Sequence, residues 1–100
     1  MAIRKNYNKG MEDQIKKTIK EVQDLLIYKN KSYGNSATNP AKIFSKGSAV
    51  ESICARIDDK LMRVANKGLC KNTLDTVDDL IGYLVLLKIA IHKQDEEKNK

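Results

Sequence analysis

The acidic side chains of this chain fall into two groups that could share a cation. Glu51, Asp58 and Asp59 lie in one stretch, and Asp75, Asp78 and Asp79 lie in the next. In a helix, Asp75 and Asp79 share a face, as do Glu51 and Asp58. Two antiparallel helices turning such faces together would gather several carboxylates. Like charges gathered in this way repel unless a divalent cation or a basic group stands between them. Mg²⁺ is a hard ion that takes carboxylate oxygens together with substrate phosphates, so this pattern could seat a Mg²⁺–nucleotide complex. The same acids also have a plainer reading. Glu51 completes a capping box that opens with Ser48, and Asp75 and Asp78 lie in a first helical turn, where the macrodipole favours acids.

Arg56, Lys60 and Arg63 form a basic row at steps of four and three, with Asp59 among them. Such a row can hold phosphate oxygens, Arg offering a planar fork and Lys a point charge. The competing reading is an exposed charged face braced by an Asp59–Arg63 pair one turn apart. Tyr28, Tyr33 and Phe44 flank or lie in a polar segment and could stack on a base, or pack beneath a loop. His92 has no partner in the sequence pattern and is given no catalytic role. Walker, HExxH, Ser/His/Asp and cysteine-nucleophile signatures are absent, which excludes the chemistry of hydrolytic triads.

Three stretches with a helical period must position these groups. The first runs from about Met11 to Lys31, with Ile15, Ile19, Val22 and Leu26 on one stripe. The second runs from Ser48 to about Lys67, with Val50, Ile53/Cys54, Ile57, Leu61 and Val64 on the inward side. The third begins near Asn72/Thr73 and continues through His92, with a stripe of Val77, Leu80/Ile81, Leu84, Leu87/Lys88 and Ile91. Val85, Leu86, Ile89 and Ala90 make its second half apolar on nearly every side. Such a helix must be covered on every side, and two partner helices of one small chain cannot do so. A second subunit packed against Leu84–Ile91 is therefore expected. Residues 68–72 form a short connection, which makes the second and third helices antiparallel neighbours, with Gly68 just past the helix end. Residues 32–47 form a long connection rich in Gly, Asn and Ser, of the kind that usually carries function.

Composition bounds the rest. The chain has 100 residues with net charge +6, is 41% apolar, and carries five aromatics and a single Pro. This predicts one all-α domain over residues 1–100, with an N-terminal arm at 1–10 and a polar tail at 93–100. The three helices form a bundle that oligomerisation completes. No apolar run is long enough to span a membrane, and the first ten residues carry no signal-peptide core. Cys54 and Cys70 lack zinc-ligand spacing and read as small, buried or partly buried thiols in a reducing compartment. The expected location is the cytoplasm, that of the host if the chain is phage-encoded.

Three ordered motifs resemble one family. They are Lys31-Ser32-Tyr33-Gly34-Asn35-Ser36, then Arg56-Ile57-Asp58-Asp59-Lys60-Leu61-Met62-Arg63, then Asp75-Thr76-Val77-Asp78-Asp79-Leu80-Ile81-Gly82-Tyr83. Across about Lys29 to Leu87 the chain resembles the phage and bacterial nucleotide modification associated domain, type 1. That family is distantly similar to the MazG-like all-α nucleoside triphosphate pyrophosphatases. The resemblance implies a site that draws on Tyr33–Ser36, on Arg56, Asp59, Lys60 and Arg63, and on Asp75, Asp79, Gly82 and Tyr83. In MazG-like enzymes, carboxylates on two helices bind Mg²⁺, and Asp75 with Asp78 or Asp79 could stand in for the pair on the later helix. The earlier helix departs from that pattern, because its only similar spacing is Glu21-Val22-Gln23-Asp24.

Two functions follow as expectations. The first is a binding protein that grips a phosphorylated nucleotide, modified or signalling, without cutting it, at a site near a subunit boundary. Arg56, Lys60 and Arg63 would hold phosphates, Tyr33 or Phe44 would stack on the base, and the 32–47 segment would close over the ligand. The second is a Mg²⁺-dependent nucleoside triphosphate pyrophosphatase, with Asp75, Asp79 and Glu51 or Asp58 binding the ion and Lys60 stabilising developing charge. Nucleic acid ranks last as a partner, because basic residues are spread over all three helices and no reading motif is present.

Overall fold

A computed structural model describes residues 2–34 and 47–98, which form three α-helices and no strand. Helix α1 spans Ala2–Tyr33, α2 spans Ala49–Lys67 and α3 spans Leu74–Lys98, with a single 3₁₀ turn at Lys71–Thr73 before α3. The all-α fold expected from composition is the fold found. Helix α1 begins at Ala2, well before Met11 and through the stretch expected as an arm; in the sequence, Ile3 and Tyr7 continue the row of Met11, Ile15 and Ile19 at steps of four. On its solvent side, one-turn pairs brace it: Glu12 with Lys16 at 3.0 Å and Lys20 with Asp24 at 2.7 Å. Pairs this exposed contribute only about 0.3–0.5 kcal/mol each. Helix α3 likewise carries its polar end on through Lys98, so His92 lies within the helix.

The two ends that lead to and from α2 are fixed by local chemistry. Ser48 is extended, and its Oγ accepts a hydrogen bond from the Glu51 amide at 3.1 Å, the N-cap expected from the sequence. Gly68 takes φ +80°, a left-handed backbone that favours glycine, and its amide donates to the Val64 carbonyl at 2.8 Å. The start of α3 has a fastening that sequence reading did not anticipate. The buried Thr73 hydroxyl donates to the Cys70 carbonyl at 3.0 Å and accepts from the Cys70 amide at 2.9 Å. This closes the turn and makes α2 and α3 a hairpin.

Helices α2 and α3 pack along one another, whereas α1 meets α3 over a much shorter stretch. At Gly82 a Cβ would stand 3.3 Å from Leu26 Cδ1, so α1 comes close to α3 there. Ile53 is 1% exposed, and Val22 and Ala90 are the other buried hydrophobic residues among those described. Several expected inward positions are instead exposed: Ile15 and Ile19 on α1, Cys54 and Leu61 on α2, and Ile81, Leu84 and Ile91 on α3. Cys70 is exposed as well. On α3, Thr76, Gly82 and Ala90 are buried, and the expected Val77, Leu80 and Leu87 are half-buried together with Asp78, Asp79, Tyr83 and Leu86. A helix apolar on nearly every side gives hydrophobicity no single face to choose. Small residues decide instead, because they let the neighbouring backbones approach.

The molecule measures 56 × 38 × 23 Å with a radius of gyration of 17.1 Å. A compact chain of this length has a radius near ~13 Å. Its accessible surface is 8483 Å², whereas a folded monomer of this mass exposes about 5700 Å². The chain is therefore more open than a compact domain of its length.

Candidate functional site

One charged residue on each helix turns toward the place where the three helices meet. On α1, the series Ile15, Ile19, Val22, Leu26 steps next to Lys29. On α2, Ile53 and Ile57 step to Lys60 and then to Val64, and on α3, Thr76 steps to Asp79, Tyr83 and Leu86. The three charges meet where α1 approaches the hairpin. Lys29 Nζ lies 2.9 Å from Asp79 Oδ1, and Lys60 Nζ lies 3.0 Å from Asp79 Oδ2. Each carboxylate oxygen thus accepts from a different helix.

Burial differs across the cluster. The Lys60 and Asp79 side chains are 18% and 21% exposed, while Lys29 is 44% exposed. Partial burial pushes the Asp79 carboxyl upward in pKa. The hydrogen bonds from Lys29 and Lys60, reinforced by their charges, outweigh burial and hold it below its ordinary value. Asp79 is therefore an ionised anchor at neutral pH, and it keeps two ammonium groups in fixed positions.

These groups line a cleft of about 390 Å³, within the range of small-molecule sites. Val22, Leu25, Leu26 and Leu86 give it an apolar floor, and Arg56, Asn30, Asp78 and Tyr83 join the lysines at its polar side. Three cations, Lys29, Arg56 and Lys60, face two carboxylates, Asp78 and Asp79, which leaves an excess positive charge. Neither Arg56 nor Asp78 forms an ion pair with another described residue. The cleft can therefore receive an anion on Arg56 and the lysines, with apolar contact for an attached ring system.

Of the residues selected from sequence, the structure brings together Arg56, Lys60, Asp79 and Tyr83. Asp59 is exposed and outside the cleft, and Arg63, also exposed, lies beyond the part of α2 that lines it. Gly34 ends α1 with φ +60° and is exposed. The Tyr33 side chain, Asn35, Ser36 and Phe44 lie outside the described residues. Tyr28 is exposed. The candidate metal ligands are not gathered: Glu51, Asp58 and Asp75 are exposed and apart from the cleft, and Asp79 is held by lysines. Among the described residues no three His, Cys, Asp or Glu side chains are placed to share a metal ion. Lys29 and Asn30 were not anticipated. The available signal was a lysine standing at the next position of an otherwise apolar stripe.

Compared with family models, curated proteins and solved structures, the chain matches none. No helix among the described residues is long and apolar enough to cross a membrane.

Proposed function

We propose that the cleft binds the phosphate group of a nucleotide and holds it without cleavage. The observation that carries this reading is the convergence of Lys29, Lys60 and Arg56 on one cleft with an apolar floor. Asp79 sets both ammonium groups before a ligand arrives, so little side-chain freedom is lost on binding. Arg56 supplies a planar fork for phosphate oxygens. Tyr83, with Leu25 and Leu26, offers a surface for a base. Mg²⁺ would enter with the phosphates and face Asp78, the cleft carboxylate that no lysine holds. The family resemblance of the Arg56–Arg63 and Asp75–Tyr83 motifs supports the nucleotide class. Retention is favoured over hydrolysis because Glu51, Asp58 and Asp75 do not converge with Asp79.

The test is a binding titration with a panel of mono-, di- and triphosphate nucleotides, with and without Mg²⁺, followed by heat denaturation and chromatography of the released ligand. Intact nucleotide is expected, with affinity falling at least about tenfold in Lys60→Ala, the loss of one charge-assisted hydrogen bond. Pyrophosphate release would replace retention with the pyrophosphatase reading. A Lys60→Ala variant that binds every nucleotide as the parent does would remove the cleft from the account.

A further inference from the structure

Helix α1 is held to the hairpin along a short seam. Leu26 comes against Gly82, and Val22, Leu26, Asn30 and Leu86 line both the charged cleft and a larger apolar groove of about 900 Å³ beside it. Helices α1 and α2 do not pack along one another. They are joined through Asp79 of α3, whose two oxygens accept from Lys29 of α1 and Lys60 of α2. One carboxylate thus stands between two ammonium groups, and Arg56 adds a third cation to the same cleft. Even with Asp78 counted, the place where the helices meet is short of negative charge. A seam this short opens at a lower free energy than the hairpin core around Ile53, which is 1% exposed.

We propose that an anion bound in the cleft is a clasp that fastens α1 to α2 through Lys29, and that without it α1 lifts from a hairpin that stays folded. The clasp rests on the anion-binding reading of the cleft and concerns what occupancy does to the fold. An ammonium carries three N–H donors, so each lysine can hold Asp79 and a phosphate oxygen at once. A phosphate presents several oxygens on one centre and accepts from Lys29 and Lys60 together, as the carboxylate does. The lifted state keeps Arg56 and Lys60, both on α2, but loses Lys29. It therefore holds the anion less tightly by the share of one charge-assisted hydrogen bond, about tenfold. By reciprocity the anion favours the docked state by the same factor. Docking also builds the apolar groove, because Val22 and Leu26 wall both cavities. Occupancy of the cleft thereby sets how much of the time that groove exists.

The experiment is native-state hydrogen exchange of the whole chain, read by mass spectrometry. The parent and Lys29→Gln are compared without ligand and with ATP or inorganic pyrophosphate, each at about a hundred times its own measured Kd. In the unliganded parent, residues 22–31 of α1 are expected to exchange faster than those around Ile53. Either anion should slow residues 22–31 about tenfold in the parent and leave them unchanged in Lys29→Gln. Lys29→Arg keeps the charge and should restore the slowing. Exchange around Ile53 should slow in all three proteins through linkage to global unfolding, which reports a filled site. Equal exchange of α1 and the hairpin core without ligand overturns the clasp, because the helices then open as one unit. A filled site that leaves residues 22–31 at the unliganded rate, or slows them equally in Lys29→Gln, overturns it too and leaves the anion site standing. If neither anion binds the parent, the anion site and the clasp fall together.

Discussion

Asp79 accepts from lysines on two different helices, so a single carboxylate ties α1 to the hairpin. Replacing it with Asn removes the charge and leaves two ammonium groups close together. Stability should fall by about 1–2 kcal/mol in urea unfolding, less than for a fully buried pair because solvent reaches Lys29. The same variant should bind nucleotide more weakly, since Lys29 and Lys60 lose the carboxylate that presets them; nucleotide titration reads that second effect. Unchanged affinity would mean that Asp79 anchors the helices without positioning the lysines for a ligand. Acid should act similarly on the parent. Asp79 titrates lower when folded than when unfolded, so its stabilisation is complete above the ordinary aspartate pKa of about 3.9. It is lost as the pH falls through the depressed folded value. The urea midpoint should therefore drop below about pH 4, and the drop should be shallower in Asp79→Asn. At this scale the sequence was partly legible. Lys60 and Asp79 stood out through charge pattern and resemblance, but Lys29 did not, because its role exists only once α1 has been docked.

Element boundaries were legible wherever a local bond sets them. Ser48 and Gly68 are examples, since a cap needs only its own neighbours. The inward face of α3 was legible in part: Val77, Leu80 and Leu87 are half-buried as expected, whereas Ile81, Leu84 and Ile91 are as apolar and remain exposed. The small residue Gly82 is what fixes the contact with α1. A methyl group there would crowd Leu26 Cδ1, and a branched side chain requires Leu26 to give way further. Gly82→Val is expected to cost about 1–3 kcal/mol through overpacking. In Gly82→Ala the helix-propensity gain of about 1 kcal/mol offsets the milder crowding. Thermal melts of both variants check this. Equal melting temperatures would mean that α1 does not approach α3 at this glycine.

Seen as a whole, the chain is a hairpin carrying a long rod that it grips near one end. The all-α class was legible from few aromatics, one proline and three helical periods. Surplus apolar surface was legible too, although it was expected over Leu84–Ile91 alone and the structure extends it along α1. Its extension reflects how short the α1–α3 contact is, a tertiary fact that no local pattern encodes. The unsupported half of the rod contains Lys16, Lys17 and Lys20, all exposed. A helix with nothing packed on it frays readily, and a protease cuts the frayed form in proportion to its population. Trypsin should therefore nick the chain first at these lysines, with the α2–α3 fragment outlasting the rest. The order of the cuts thus reads how firmly each part of the rod is held.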